Sequence, residues 1–128
     1  MTTEVFKDLA PHITRQRLVI EGLNEEHLAE RFIYEFLIDL SEELDMTMVD
    51  IPMIRRVQDY GYCGFMNWIE SGCHFYTYAA AAEDGDLPIQ ELFTLDIYTC
   101  KKFDPVKCTN FVACYMGENL TAIEWKAV

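Results

Sequence analysis

Positive charge is scarce in this chain. Its 128 residues include 10 Lys and Arg against 22 Asp and Glu, which gives a formal net charge of −12. A nucleic-acid-binding surface needs clustered cations to contact phosphates, and an anionic membrane attracts the same kind of cluster. The composition therefore predicts a protein that binds neither nucleic acid nor a membrane.

Long apolar runs and paired cysteine motifs are also missing. No segment approaches the roughly 20 apolar residues of a membrane span, and residues 1–10 lack the charged start and apolar run of a secretory signal. The five cysteines form no CxxC pair, and the three histidines lack metal-ligand spacing. We therefore expect a cytoplasmic protein with free thiols, no disulfide and no metal site.

Apolar residues are plentiful enough for one packed core. They make up 51% of the chain, and aromatic residues make up 13%. A chain of this length suits one domain rather than two. We predict a single domain over residues 1–128, in which residues 1–10 form a loose arm.

Hydrophobic spacing and turn residues predict the element order β-α-β-β-β-β-α-β. One predicted helix begins at Asn24 as N-cap and ends near Leu44, and the other runs from the Asp104-Pro105 start to Gly117. The predicted strands are 13–21, ended by Gly22, then 48–57, 65–69, 73–80, 91–100 and 120–126. Residues 59–64 are predicted as a turn with two glycines, and residues 81–88 as a polar loop.

This order predicts an α+β fold, with an antiparallel sheet and two helices on one face. Apolar side chains occur at both odd and even positions of the middle strands, which point to opposite faces of the sheet. We therefore expect the second sheet face to be apolar as well. Examples are Phe65, Trp68, Ile69, Phe75, Tyr76 and Tyr78. An apolar second face on a small acidic chain predicts a homo-oligomer, a dimer or trimer, with its site at the subunit interface.

Two stretches of the sequence carry a resemblance to a known enzyme family. Residues 60–71 read YGYCGFMNWIES, and residues 95–105 read LDIYTCKKFDP. They resemble the bacterial and archaeal S-adenosylmethionine decarboxylases. That family has a Tyr-Gly-x-Ser-Gly turn, an apolar strand and Glu-Ser-His, followed downstream by Asp-x-Phe-Thr-Cys and an Asp-Pro helix start. The resemblance implies an S-adenosylmethionine decarboxylase-like sandwich, which agrees with the predicted element order.

In that family the chain cuts itself before the serine, which becomes a pyruvoyl group and acts as an electron sink for loss of CO2. The resemblance places Glu70 and Ser71 on the self-cleavage pair and Cys100 on the catalytic cysteine.

Three helper positions of the family differ here. Cys63 stands where the turn serine is expected, Gly72 where a histidine follows the serine, and Tyr76 where the processing histidine is expected. Serine without a nearby base is a poor nucleophile. We therefore expect the chain to stay uncut and to use no cofactor.

The short acidic chain with altered processing residues also looks like a related family of small bacteriophage enzymes, long called hydrolases. That resemblance implies an S-adenosylmethionine lyase that is phage-encoded and works in the host cytoplasm. The substrate carboxylate attacks its own γ-carbon, closes L-homoserine lactone and expels 5′-methylthioadenosine. The step needs a pocket that folds the methionine tail rather than a protein nucleophile.

The lyase hypothesis assigns catalytic roles to Glu70 and Tyr60. Glu70 follows Trp68-Ile69 in an apolar run, where a carboxylate is costly unless it has a partner; we expect it to orient the ligand. Tyr60 would contact the ligand through its hydroxyl or its ring. The residues assigned to substrate binding are Tyr62, Cys63, Ser71, Tyr76 and Cys100.

Two other functions remain open. One is a pyruvoyl-dependent S-adenosylmethionine decarboxylase for polyamine synthesis, in which the pyruvoyl group forms from Ser71 and Cys100 is the acid. The other is a catalytically inactive homologue that binds a ligand or merely assembles. The corresponding structural alternatives are a bulge at Ser71-Gly72 and a buried, apolar role for Cys100.

Overall fold

Six antiparallel strands and two helices make up the fold in a computed structural model that describes residues 5–78 and 90–128. The sheet order is β2-β3-β4-β5-β1-β6. The predicted α+β class and order of elements are confirmed. The elements are β1 (Gln16–Asn24), α1 (Glu30–Glu43), β2 (Met53–Val57), β3 (Gly61–Trp68), β4 (Ser71–Tyr78), β5 (Glu91–Thr99), α2 (Pro105–Met116), a 3-10 turn (Gly117–Asn119) and β6 (Leu120–Ala127).

Both helices pack on one face of the sheet and enclose the core there. From α1, Phe36 is fully buried and its ring centroid lies 5.4 Å from that of Phe75 on β4. From α2, Val112 is fully buried in the same cluster. Burying a side chain of this kind contributes roughly 1.5–3 kcal/mol. Within residues 5–78 and 90–128, neither helix has the length and apolar character to cross a membrane.

A buried chain of hydrogen bonds ties α1 to the end of β3. The indole Nε1 of Trp68 donates to Ser41 Oγ at 2.8 Å, and Ser41 Oγ donates to the carbonyl of Leu37 at 2.7 Å. The buried hydroxyl is therefore fully satisfied. These bonds anchor the strand end that leads into Glu70 and Ser71.

The predicted ends of α2 are confirmed. The Asp104 side chain accepts hydrogen bonds from the backbone N–H groups of Val106 and Lys107, and Pro105 occupies the first turn. Gly117 caps the other end with φ 77°, a left-handed conformation that glycine adopts without a Cβ penalty.

The first strand and the start of α1 differ from the prediction. β1 continues through Gly22 to Asn24, because Gly22 makes room for a core side chain: a Cβ there would lie 2.5 Å from the ring of Phe93. Asn24 pairs with Glu91 in the sheet and does not cap the helix. α1 begins at Glu30, without a side-chain cap.

The predicted turn at residues 59–64 is wrong as well. The turn is limited to residues 58–60, and Gly61 and Gly64 lie inside β3. β2 is shorter than predicted, while β4 begins two residues earlier, at Ser71. The predicted polar loop at 81–88 and the last two residues of the predicted strand 73–80 lie outside the described residues.

The sheet face opposite the helices carries aromatic and charged side chains, and in the described part of the chain no helix covers it. Strand register places Phe65, Tyr76 and Tyr78 on this open face, whereas Trp68 and Phe75 point into the core. Apolar side chains therefore occupy both faces, as the sequence predicts. The homo-oligomer expected from this apolar face stays a prediction.

Candidate functional site

A cleft on the open face lies beside Ser71. Its volume is about 330 Å³, within the range of small-molecule pockets. It is deep at Gly72, because that residue puts no side chain between its cross-strand neighbours Asn67 and Tyr98. The lining residues are Arg17, Met66, Asn67, Ser71, Gly72, Cys73, His74, Asp96 and Tyr98.

The backbone at Gly72 leaves no room for a side chain. A Cβ there would lie 2.4 Å from the carbonyl oxygen of Met66, and φ is 159°. A histidine cannot occupy this position without a shift of the strand pair. The cleft lies beside the position where the resemblance expects a histidine.

A neutralised ion pair and the rings of His74 and Tyr98 line the cleft, and Tyr76 lies next to it. Arg17 donates to both carboxylate oxygens of Asp96, through Nε at 3.0 Å and Nη2 at 2.7 Å, and this carboxylate raises the pKa of Arg17. His74 stacks on Tyr76 with ring centroids 6.2 Å apart and an interplanar angle of 8°. Aromatic faces beside an ion pair suit a ligand that carries a cation.

Ser71 has a strained backbone. Its φ is 133°, in a region that residues with a Cβ rarely enter. It begins β4 and pairs with Trp68 on one side and Thr99 on the other. Strain of this kind costs of order 1–3 kcal/mol and clusters at functional sites. The strained residue is the serine that the resemblance places at the self-cleavage bond.

Glu70 has a partner within its own chain. It lies in the β3–β4 turn, where Thr47 donates to it twice, from its backbone N–H at 2.8 Å and from its hydroxyl at 3.2 Å. The Thr47 N–H holds the pKa of the Glu70 carboxyl below its usual value, and Lys101 adds a smaller effect in the same direction. The carboxylate predicted to need a partner therefore has one.

Tyr60 lies at the other end of β3 from Glu70. It occupies the turn before β3 and is exposed. The eight residues of β3, at about 3.3 Å each, separate the two ends by roughly 26 Å. The structure thus does not bring the two predicted catalytic residues together within one chain.

The five predicted binding residues fall into three groups. Ser71 and Cys100 lie near Glu70, whose carbonyl accepts the Cys100 N–H at 2.9 Å. Cys63 and Tyr76 are direct cross-strand partners in the middle of the open face. Tyr62 lies at the Tyr60 end. Cys100 is exposed, so the alternative of a buried apolar cysteine is wrong.

Several residues of the cleft were missed by the sequence analysis. Arg17 on β1 pairs with Tyr98 on β5, and Asp96 pairs with Val19, so Arg17 and Asp96 are diagonal neighbours on the same sheet face. Opposite charges at alternating strand positions are the signal that could have found them. Their contact depends on a pairing between distant strands. Across residues 5–78 and 90–128, no three His, Cys, Asp or Glu side chains are arranged to hold a metal ion.

Comparisons with known proteins match a sequence family and several solved structures. The sequence profile of a family described as S-adenosylmethionine decarboxylase matches residues 19–124. The adenosylmethionine decarboxylase from Aquifex aeolicus VF5 is a similar solved structure, with a TM-score of 0.60 and 17% identity over 91% of this chain and 89% of that chain. No curated protein matches the sequence. At this identity the structural likeness shows a shared fold.

Proposed function

The chain belongs to the S-adenosylmethionine decarboxylase family, and from that premise we propose that it is an S-adenosylmethionine lyase that releases 5′-methylthioadenosine and L-homoserine lactone. One observation carries the proposal. Gly72 replaces the histidine that the family pattern places after the serine, and the backbone there excludes any side chain. A ligand-sized cleft lies beside this glycine.

In the lyase reaction the substrate supplies both the nucleophile and the leaving group, so the protein needs no nucleophile of its own. The substrate carboxylate attacks its own γ-carbon and the C–S bond breaks. The carboxylate and sulfonium charges cancel, and the α-ammonium stays on the lactone. The aromatic faces of Tyr76 and Tyr98 suit the sulfonium. Arg17 uses one edge of its guanidinium, Nε and Nη2, to bind Asp96. Its charge is therefore balanced by Asp96, and it weakens the substrate carboxylate as a nucleophile less than an unpaired cation would.

Glu70 is proposed to orient the cationic ligand, with Tyr60 as a second contact. A carboxylate offers about four lone-pair positions, and Thr47 uses two of those on Glu70. The carboxylate keeps its charge at neutral pH, because the Thr47 hydrogen bonds lower its pKa. The other proposed ligand contacts are Tyr62, Cys63, Ser71, Tyr76 and Cys100.

A complete site of this kind requires a second subunit. Glu70 and Tyr60 lie at opposite ends of β3, so both can reach one ligand only if they come from different copies. Exposed apolar side chains flank Glu70: Ile69 is 72% exposed and Val49 is 62% exposed. We therefore propose a homo-oligomer, a dimer or trimer, in which the Glu70 end of one subunit meets the Tyr60 end of another.

Product analysis tests the lyase proposal. The purified protein is incubated with S-adenosylmethionine and the products are identified by mass spectrometry; we expect 5′-methylthioadenosine and homoserine lactone. Glu70→Gln should lower the rate about 30- to 1000-fold, because it removes a charge beside the sulfonium. Ser71→Ala should stay active, and Glu42→Gln on the exposed side of α1 is the matched control. Release of CO2 with decarboxylated substrate would contradict the proposal.

One observation favours the decarboxylase alternative, namely the strained φ of Ser71 beside the Glu70–Ser71 bond. The surrounding residues do not fit formation of a pyruvoyl group. Gly72 has no side chain, and Cys63 faces Tyr76 where the family pattern has serine and histidine. Denaturing mass spectrometry should therefore show one intact chain. A C-terminal fragment that begins at residue 71 would support the decarboxylase instead.

A further inference from the structure

A second pocket lies at the Tyr60 end of the sheet, away from the Ser71 cleft. Its volume is about 180 Å³, below the range usual for drug-sized ligands. A nucleoside does not fit such a space, but a small ring does. The lining residues are His27, Arg56, Gln58, Asp59, Gly61 and Tyr62.

A buried carboxylate orients the histidine of this second pocket. Glu91 is 1% exposed, and its Oε2 lies 2.7 Å from His27 Nδ1, while Oε1 accepts the backbone N–H of Leu28 at 3.3 Å. An ionised carboxylate accepts hydrogen bonds, so Nδ1 carries the proton and the outer nitrogen Nε2 of the neutral ring is left as a base.

The arrangement at Glu91 is poorly explained by stability alone. Asn24 is the cross-strand partner of Glu91 and is buried. Among the described residues its Oδ1 has no hydrogen-bond partner. Burying an unpartnered acceptor beside a carboxylate lowers the stability of the fold. A functional role would explain why such groups are kept. A base held by a third group is the pattern of acid–base catalysis.

We propose that this second pocket hydrolyses L-homoserine lactone, the small ester released by the lyase reaction, with His27 as general base. The inference rests on the proposed function for the source of the lactone. The charges fit an α-amino lactone: Asp59 suits the ammonium group, and the Arg56 guanidinium suits the carbonyl oxygen. Arg56 Nε donates to the carbonyl of Gln58 at 3.2 Å, and within the described chain Arg56 forms no ion pair.

The reaction needs only water as co-reactant. The water oxygen bonds to the lactone carbonyl carbon while a water proton passes to His27 Nε2, and the resulting oxyanion is stabilised by Arg56. The ring C–O bond then breaks, and the ring oxygen takes the proton from His27. Homoserine leaves, and its new carboxyl group releases a proton to solvent. Glu91 stabilises the imidazolium that exists between the two proton transfers.

The test supplies L-homoserine lactone directly, without S-adenosylmethionine, and follows ring opening by mass spectrometry. We expect the native protein to open the lactone faster than buffer. His27→Gln should lose about 100-fold or more of that acceleration, as is usual for a general base. Arg56→Gln, an exposed change on β2 with little risk to folding, should also reduce it. His12→Gln, at an exposed histidine that does not line the second pocket, is the matched control and should have no effect.

Two results would overturn this inference: lactone opening no faster than in buffer, or equal rates for native and His27→Gln protein with circular dichroism unchanged. The lyase proposal is tested separately by release of 5′-methylthioadenosine from S-adenosylmethionine. That release needs no proton transfer by His27, so His27→Gln should change it by a much smaller factor than it changes lactone opening. The failure of one proposal is therefore visible without the failure of the other.

Discussion

The distance between Tyr60 and Glu70 along β3 makes a mixed-subunit experiment decisive for the location of the catalytic site. The two variants are Tyr60→Ala and Glu70→Gln, each prepared as a pure protein. β3 holds their positions roughly 26 Å apart in one chain. If both side chains contact one ligand, each variant alone should lose about 30-fold or more of the native rate of 5′-methylthioadenosine release.

The two variants are then mixed in equal amounts, unfolded and refolded together so that subunits exchange. Each site takes Tyr60 from one subunit and Glu70 from another. With random exchange, about one quarter of the sites receive both native residues in a closed symmetric oligomer. The mixture should therefore reach about one quarter of the native rate, several-fold above either variant alone.

Chromatographic measurement of 5′-methylthioadenosine gives the readout, and the same mixture without refolding is the control. That control should stay as inactive as its two components, unless subunits exchange in the native state. If the refolded mixture is no more active than the average of the two variants, the shared site is refuted. Light scattering that shows a stable monomer at micromolar concentration would refute it as well.

Three further predictions follow from the described contacts. Gly72→Ala should lower the free energy of unfolding in urea by roughly 1–3 kcal/mol through the contact of its Cβ with a carbonyl at 2.4 Å, in addition to backbone strain at φ 159°. Gly117→Ala, where nothing lies within 4 Å, should cost only the backbone strain at φ 77° and ψ −150°, about 1–3 kcal/mol, and should be the milder change. Burial raises the pKa of Cys108 to about 12, so at pH 8 a thiol reagent should label exposed Cys114 quickly and Cys108 only after unfolding. The lowered pKa of Glu70 means that its ionised form stabilises the fold at neutral pH, and that this stabilisation is lost as pH falls below about 4.5 through the lowered pKa. The stability difference between native and Glu70→Gln protein should therefore shrink over that acidic range in urea titrations.

Local signals in the sequence were enough to predict the helices and the order of the strands. The Asp104-Pro105 start of α2 depends on hydrogen bonds within four residues, and the apolar spacing of α1 depends on one helix face. Bounds that depend on distant contacts were not predictable. Gly22 continues β1 rather than ending it, because it packs against the ring of Phe93.

The same contrast holds for the candidate site. Glu70 and Ser71 were placed together because they are neighbours in the chain. The position of Tyr60 could not be predicted, since it depends on Gly61 taking a strand position at φ 146°, a conformation that favours glycine. A Cβ there would lie 2.2 Å from the carbonyl oxygen of Thr77, so the glycine is needed for close strand packing and not for a turn. The His27–Glu91 contact joins residues that share no local pattern.

The place of β1 in the sheet has a consequence for how the chain reaches this structure. β1 is the first strand in the sequence, yet its two neighbours are β5 and β6, the last two. During synthesis β2, β3 and β4 can pair with one another as soon as they emerge. β1 cannot pair until β5 and β6 have been made. Contacts between such distant segments slow folding, and an unpaired strand is open to association with other chains. A chain truncated before β6 would leave one edge of β1 bare, so the C-terminal strand is also the protein's protection against aggregation.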